Sequence, residues 1–267
     1  MKLYVKATSS YRSDLEDISV KESLKKQYKV DVRRKDDFIH AGLLGALRLR
    51  DKCNIQRDDA LYLTSGFGNI NILAKMNEYI LENGEYIKLF DFINMLGNTT
   101  SFYVASELGI KAKSIFQISD NFTYFNTLIS IYASLKKEGK EVVLGSLDIT
   151  SLDNEIIKRV AGIEESSEVV SSVNYQKLSL DPEDALCSIE FDTNFYTLEQ
   201  VEEVLLSNKR KVYCSFRCES FLCEKETLYS ETEASYIINR AIERKKSLLY
   251  IDSYENRYKI LRVESME

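Results

Sequence analysis

The sequence predicts an α/β protein, on three observations. Amphipathic helical runs alternate with short apolar runs of strand length, glycine-bearing turns separate them, and the order helix, short turn, buried strand occurs twice. The 267 residues suit one large domain or two small ones, and a composition 44% hydrophobic and 29% charged is that of a globular chain. A chain of this size buries roughly three quarters of its unfolded surface, so neither disulfide nor metal is required for stability.

The first predicted helix spans Asp36 to Cys53, where Phe38, Ala41, Leu44, Leu47 and Leu49 recur at helical spacing. Ala60 to Ser65 is a buried strand that stops at the turn Gly66-Phe67-Gly68-Asn69. Ile72, Leu73, Met76, Tyr79 and Ile80 form the next helical face. Asn94 to Thr100, polar and glycine-containing, leads into a short helix over Phe102 to Leu108. Ser114 to Ser119 is a strand, followed by a helix with Phe122, Phe125, Leu128, Tyr132 and Leu135 on one face. Gly139 ends that helix, and Glu141 to Ser146 is a buried strand.

From Thr150 to Gln176 the composition shifts toward Ser, Glu and Asn, which marks a connection between two halves, with a helical turn over Ile156 to Val160. Beyond it the expectations are helix Leu198 to Leu206, strand Lys211 to Phe216 and helix Glu233 to Glu243. Strands Ser247 to Asp252 and Tyr258 to Val263 pair through a turn at Tyr254 to Arg257. Ile129 to Ser146 and Ile237 to Asp252 share the order helix, basic turn, strand, an internal echo.

The order of these features resembles the thiolase fold of β-ketoacyl synthases. The resemblance is carried by Arg33-Arg34, the Ala41 to Leu49 helix, and Thr64-Ser65-Gly66-Phe67-Gly68-Asn69. It continues through Asn98-Thr99-Thr100, Ser106-Glu107-Leu108-Gly109-Ile110, Ile118-Ser119-Asp120-Asn121-Phe122, and Gly139 to Asp148. It covers about residues 30 to 150, with a weaker echo at 210 to 263. It implies a layered α/β/α/β/α architecture in a single domain over 1–267, made of two pseudo-repeated halves. The first half is 1–150, and the second, 177–267, is shortened.

The family's chemistry requires a cysteine at the N-terminus of a buried helix, where helix dipole and backbone N–H groups favour the thiolate. Two histidines then polarise the extender thioester. In this chain the corresponding turn places Phe122, or Asn121 one residue earlier, at the nucleophile position. No cysteine lies between Lys111 and Gly139, and the single histidine, His40, falls in the early helix. The resemblance therefore implies a degenerate member without catalytic residues, comparable to the chain-length factors that pair with an active ketosynthase in fatty-acid, aryl-polyene or polyketide synthesis. Gly66, Phe67, Gly68, Asn98, Phe122 and Phe125 are the residues expected at its acyl site or interface. The expected partners are a ketosynthase subunit or a second copy of the chain, together with an acyl carrier protein, and no cofactor is implied. The alternatives are an acyltransferase or thioesterase using a relocated Cys214 or Cys218, or a scaffold without acyl ligand.

Other candidates have plainer readings. Cys214, Cys218 and Cys223 are spaced Cys-x3-Cys-x4-Cys with no histidine near, which does not fit a zinc knuckle, so no metal is expected and the cysteines read as buried small residues. Gly66-Phe67-Gly68 lacks the third glycine of a dinucleotide fingerprint and the Lys-Ser or Lys-Thr of a phosphate loop, so it reads as a tight turn at a strand end. Lys25-Lys26, Arg33-Arg34-Lys35, Lys136-Lys137 and Lys209-Arg210-Lys211 are solvated faces, or docking points for an acidic carrier. His40 beside Asp36 and Asp37 lacks a nucleophile for a hydrolytic site. A net charge of −6 gives no sign of nucleic-acid binding. No run is long and apolar enough for a membrane span, and Met1 to Lys6 lacks a leader core. These features and the odd count of five cysteines suggest a reducing, cytoplasmic setting.

Overall fold

A computed structural model of the chain describes every residue except 17, 18, 85, 120, 151–157, 160, 161, 222, 227 and 267. The strands are β1 (Lys2–Arg12), β2 (Ala60–Ser65), β3 (Ser114–Ile118), β4 (Val142–Asp148), β5 (Glu168–Val169), β6 (Ser172–Ser179), β7 (Cys187–Phe191), β8 (Lys211–Cys214), β9 (Leu228–Tyr229), β10 (Leu248–Tyr254) and β11 (Arg257–Ser265). The helices are α1 (Val20–Ser23), α2 (Asp37–Arg50), α3 (Ile70–Asn77), α4 (Leu89–Met95), α5 (Gly97–Leu108), α6 (Thr123–Glu138), α7 (Leu198–Ser207) and α8 (Glu233–Glu243). Nine strands join in the order β3-β2-β4-β6-β1-β7-β11-β10-β8, and β5 pairs with β9 alone.

Strand β1 divides this sheet into two wings. From Tyr4 to Arg12 it pairs with β6, with a register shift between Val5 and Ala7, and its first part, Lys2 to Val5, pairs with β7 on the other side. Strand alternation then sorts side chains between layers. Leu61 and Leu63 of β2, Val143 and Leu147 of β4, and Val173 and Tyr175 of β6 pack on α2 and α5. Ala60, Tyr62, Val142 and Leu144 face the opposite way, onto Phe125, Leu128 and Ile131 of α6. The same cluster contains Ile237 and Ile238 of α8 and Leu248, Tyr250, Leu261 and Val263 of the other wing. Leu249, Ile251 and Ile260 face outward with Val201 of α7. The layers are thus α2 and α5, first wing, α6 and α8, second wing, α7: the α/β/α/β/α order that the resemblance implies. The echo between residues 129 and 252 is the succession α6–β4 and α8–β10, with both helices in the middle layer.

Close approach in the first wing depends on glycine. The ring of Tyr175 lies between α2 and β4, where a Cβ on Gly45 would stand 2.6 Å from it and one on Gly145 would stand 2.5 Å away. The Tyr175 hydroxyl donates to the Gly42 carbonyl at 2.9 Å. Helix α2 starts where Asp36 caps it, accepting from the Ile39 N–H at 2.9 Å.

Several elements depart from the sequence reading. Residues 2–12 form a long central strand that periodicity did not single out. The segment assigned to a connection, 150–176, contains β5 and the start of β6. Ser172, Asn174 and Gln176 are polar yet fully buried because they bond one another and the middle layer. Asn174 Nδ2 donates to Ser172 Oγ at 2.8 Å, Gln176 Nε2 donates to Asn239 Oδ1 at 2.8 Å, and the Tyr124 hydroxyl donates to Gln176 Oε1 at 2.6 Å. A polar composition read as a loop is here a buried hydrogen-bonded strand. The helical turn expected over Ile156 to Val160 lies largely outside the described residues. Finally, α5 begins at Gly97 rather than Phe102, α4 precedes it, and β8 ends at Cys214.

Candidate functional site

The strands β2, β4, β8 and β10 end on one side of the molecule, and there the two halves meet. β2 runs into Ser65-Gly66-Phe67-Gly68, whose left-handed Gly68 (φ 61°) closes the turn with its N–H on Ser65 Oγ at 2.8 Å. Asp148, the last residue of β4, is buried and accepts from Ser65 Oγ at 2.5 Å and from the Gly66 and Phe67 N–H groups at 3.2 Å. The second half repeats this at Asp252 of β10, which is joined to Ser215 just beyond β8 and accepts from its neighbour Ser253 N–H at 2.9 Å. Burial raises the carboxyls of Asp148 and Asp252 to about 6 each.

Between β3 and α6 lies the turn at the expected nucleophile position; Asp120, which belongs to it, is outside the described residues. Ser119 N–H donates to the Ser65 carbonyl at 3.2 Å, Ser119 Oγ to the Asn121 carbonyl at 2.7 Å, and Thr123 Oγ1 to the Ser119 carbonyl at 2.5 Å. Asn126 Nδ2 reaches both Ser119 Oγ, at 3.2 Å, and the Asn121 carbonyl, at 3.1 Å. Phe122 stands at the head of α6 with a left-handed backbone, φ 46° and ψ 32°. A bulky residue in this region is rare and costs on the order of 1–3 kcal/mol. Its side chain is 5% exposed, with ring centroids of Phe195 at 5.5 Å and Tyr254 at 6.5 Å. Phe125, one turn on, stacks on Tyr250 at 6.4 Å.

The residues that the second half brings to this turn are acidic and basic, at the place where the family carries its histidines and this chain has none. Glu231, in the loop between β9 and α8, touches the first half directly. Thr123 Oγ1 lies 3.5 Å from Glu231 Oε1, and a Cβ on Gly66 would overlap the Glu231 side chain. Arg217 donates to Glu231 through Nη2 at 2.9 Å and Nη1 at 3.3 Å, and the Tyr229 hydroxyl donates to Glu231 Oε2. Burial is the main reason that the Glu231 carboxyl rises to about 8, with Arg217 and Tyr229 opposing the rise. Glu233, at the start of α8, accepts from the Phe216 N–H at 2.6 Å through Oε1, while its buried Oε2 has no partner; its desolvation pushes its carboxyl well up. Beside this cluster a cavity of about 710 Å³ opens between Phe216, Arg217, Ser220 and Lys225 on one side and Ser253, Tyr254 and Asn256 on the other. Phe122 does not line it.

Of the residues expected at the site, Gly66, Phe67, Phe122 and Phe125 converge here, with Phe67 6.5 Å from Tyr229. A Cβ on Gly68 would meet Ile118. Asn98 is exposed on the first turn of α5, away from the cluster. The neighbouring Asn94 is buried instead. Its carbonyl accepts from Asn69 Nδ2 at 3.1 Å, and Asn69 also donates to Asp36 Oδ2 at 2.5 Å, so the end of the glycine loop ties α2 to α4. His40 is a core residue of α2 with Nε2 3.0 Å from the Val32 carbonyl.

The cysteines need one correction. Cys214 and Cys223 form a disulfide, a pairing that the sequence reading did not foresee when it took them as separate small residues. The chain turns back after β8 so that Glu224 N–H donates to the Val212 carbonyl at 3.1 Å, which sets Cys223 beside the strand end. The bond takes up two of the three sulfurs that a local metal site would use, and no group of three or more metal-ligating side chains occurs among the described residues. The thiols of Cys53, Cys187 and Cys218 are all raised by burial, Cys187 to about 12, the reverse of an activated nucleophile.

By sequence the chain matches no family profile and no curated protein. By structure it has the fold of ketosynthases and chain-length factors. It is similar to "The ishigamide ketosynthase/chain length factor" at 8% identity and TM-score 0.71, covering 100% of both chains. It is also similar to the type II polyketide ketosynthase complex AntDE:AntF, in which an acyl-carrier protein is bound, at 9% identity and TM-score 0.68, covering 99% of both. A third is the ketosynthase ApeO in complex with its chain length factor ApeC from Xenorhabdus doucetiae, at 10% identity and TM-score 0.61, covering 98% of this chain and 99% of that one. At these identities the likeness is one of fold. No helix among the described residues is long and apolar enough to cross a membrane.

Proposed function

We propose that this chain is a non-catalytic ketosynthase-fold subunit that pairs with a ketosynthase, or with itself, and receives an acidic acyl carrier. The observation that carries this reading is Phe122. The head of α6, where the fold would hold a nucleophile, carries a buried phenyl ring clamped by Phe195 and Tyr254. The groups beside it, Glu231 bound by Arg217 and Tyr229, supply neither the cysteine nor the histidines on which the family's chemistry depends. Phe122 is then a plug of the acyl site.

Two surfaces support pairing and docking. β3 is an outer strand of the sheet, so one row of its backbone groups lacks a strand partner. Ile118 on it is 57% exposed, and Phe92 of α4, Leu96 between α4 and α5, and Phe102 of α5 are exposed as well. Another chain of the same fold could add its own edge there. Lys21, Lys25, Arg33, Arg34 and Lys35 line a concavity of about 460 Å³ whose lining includes one carboxylate, Asp31, already held by Arg33 at 2.8 Å. In a protein of net charge −6 such a basic recess suits an acidic partner. The relocated-cysteine alternative finds no support in thiols that are bonded or buried.

The test is a pull-down of the tagged protein from its native cell, read by mass spectrometry. The expected result is recovery of a cysteine-bearing ketosynthase or an acyl carrier protein. Recovery of neither, with the chain alone as a homodimer, turns the reading to a scaffold.

A further inference from the structure

We propose that Cys214 and Cys223 form a thiol–disulfide switch that holds the loop carrying Arg217 against Glu231. Reduction releases this loop and opens the buried carboxylates to the adjoining cavity. The argument starts from position. Cys214 is the last residue of β8, a four-residue strand at the edge of the second wing, and its Cα lies 6.0 Å from that of Cys223. The bond therefore closes the residues between them into a loop attached to the end of an edge strand.

Several anchors of that loop are at the carboxylate cluster or the cavity wall, beside the Ser215 N–H bond to the Ile251 carbonyl at 2.8 Å and the burial of Cys218. The Phe216 N–H donates to Glu233 at 2.6 Å and its ring meets Tyr229 at 5.4 Å. Arg217 holds Glu231 at 2.9 Å, and Ser220 Oγ lies 2.8 Å from the Tyr258 hydroxyl. Phe216, Arg217, Glu219 and Ser220 form one wall of the 710 Å³ cavity. Arg217 faces Glu231 with Asp148, Asp252 and Glu233 nearby, so the tether keeps the balancing cation in a place where carboxylates would otherwise repel one another.

The chemistry is ordinary exchange with a dithiol reductant. Cys223 is half-buried and Cys214 fully buried, so a thiolate of the reductant attacks the sulfur of Cys223. The S–S bond breaks, its electron pair leaves with Cys214, and that thiolate takes a proton. The second thiolate of the reductant then displaces Cys223 from the mixed disulfide. Two electrons and two protons pass to the protein, which ends with two thiols, and the reductant ends as a disulfide. Cys218, buried and outside the bond, is the internal control.

The experiment uses the whole chain in oxidised form and after dithiothreitol, with thiols counted by alkylation in denaturant. We expect three alkylated cysteines before reduction and five after. Trypsin should then cut after Arg217 at least tenfold faster in the reduced protein. Cys223→Ser should cut fast under both conditions, and Cys218→Ser should keep the difference. Should Cys223→Ser not fold, hydrogen exchange at the Phe216 and Cys218 amides of the wild-type chain decides, with at least a tenfold acceleration expected on reduction. Five reactive thiols in the oxidised sample, a bond that resists dithiothreitol in the folded protein, or equal cleavage and exchange rates in the two forms would overturn the switch.

Discussion

Glu231 is joined to Arg217, Tyr229 and Thr123, and its carboxyl stands at about 8 against an ordinary 4.5 because burial outweighs those partners. Asp252 stands at about 6 against 3.8 for the same reason. An acid raised on folding binds more protons in the native state than in the unfolded one between the two values, so stability falls as pH rises through that window. For Asp252 alone, the loss between acid and neutral pH is about 3 kcal/mol at ~1.4 kcal/mol per pH unit. Glu231→Gln keeps the shape and removes the titration. The variant should lose less stability than wild type between pH 5 and pH 8, as read by urea unfolding across that range; parallel profiles for the two proteins would refute the assignment. Phe122 was legible in the sequence because its turn follows a strand and opens a helix. Glu231, Arg217 and Asp252 were not, since they come from three separate segments and no local spacing connects them. One signal was available: the echo of α6–β4 in α8–β10 sets Asp252 opposite Asp148.

At the scale of elements, the helices α6, α7 and α8 could be read from periodicity and stops such as Gly139 in its left-handed C-cap (φ 65°), and α2, buried on nearly every side, from its long apolar run after the Asp36 cap. Strands β2, β4 and β10 were legible as apolar runs. β6 was hidden because Ser172, Asn174 and Gln176 are interspersed with its apolar Val173, Tyr175 and Leu178 and are buried all the same, with Gln176 bonded to Tyr124 and Asn239 of the middle layer, and composition cannot distinguish such a strand from a solvated loop. The contact that holds β6 is the Tyr175 ring in the space left by Gly45 and Gly145. Gly145→Ala places a methyl 2.5 Å from that ring and 2.7 Å from Leu63, and neither can withdraw within the buried layer. Overpacking of this kind costs about 1–3 kcal/mol, which lowers Tm by several degrees in thermal unfolding followed by circular dichroism. An unchanged Tm would mean that the ring is free to move.

For the molecule as a whole, the open edge at β3 predicts association. Ile118→Lys puts a charge on an exposed position, so the isolated fold should change by no more than about 0.5 kcal/mol. Association with a second ketosynthase-fold chain should weaken at least tenfold in sedimentation velocity. Tight association unaffected by the lysine would place the contact elsewhere.

β1 supplies a different consequence. Its partners are residues 172–179 and 187–191, so Lys2 pairs with Glu190 across most of the chain. On a ribosome adding about 5–20 residues per second, the central strand of the sheet waits roughly 10–40 s before its neighbours exist. Through that interval an eleven-residue strand with Leu3, Val5 and Tyr11 has no sheet to enter. Its long-range pairing sets the pace of folding as well as the architecture, and a growing chain of this kind is one that a cell's chaperones would have reason to hold.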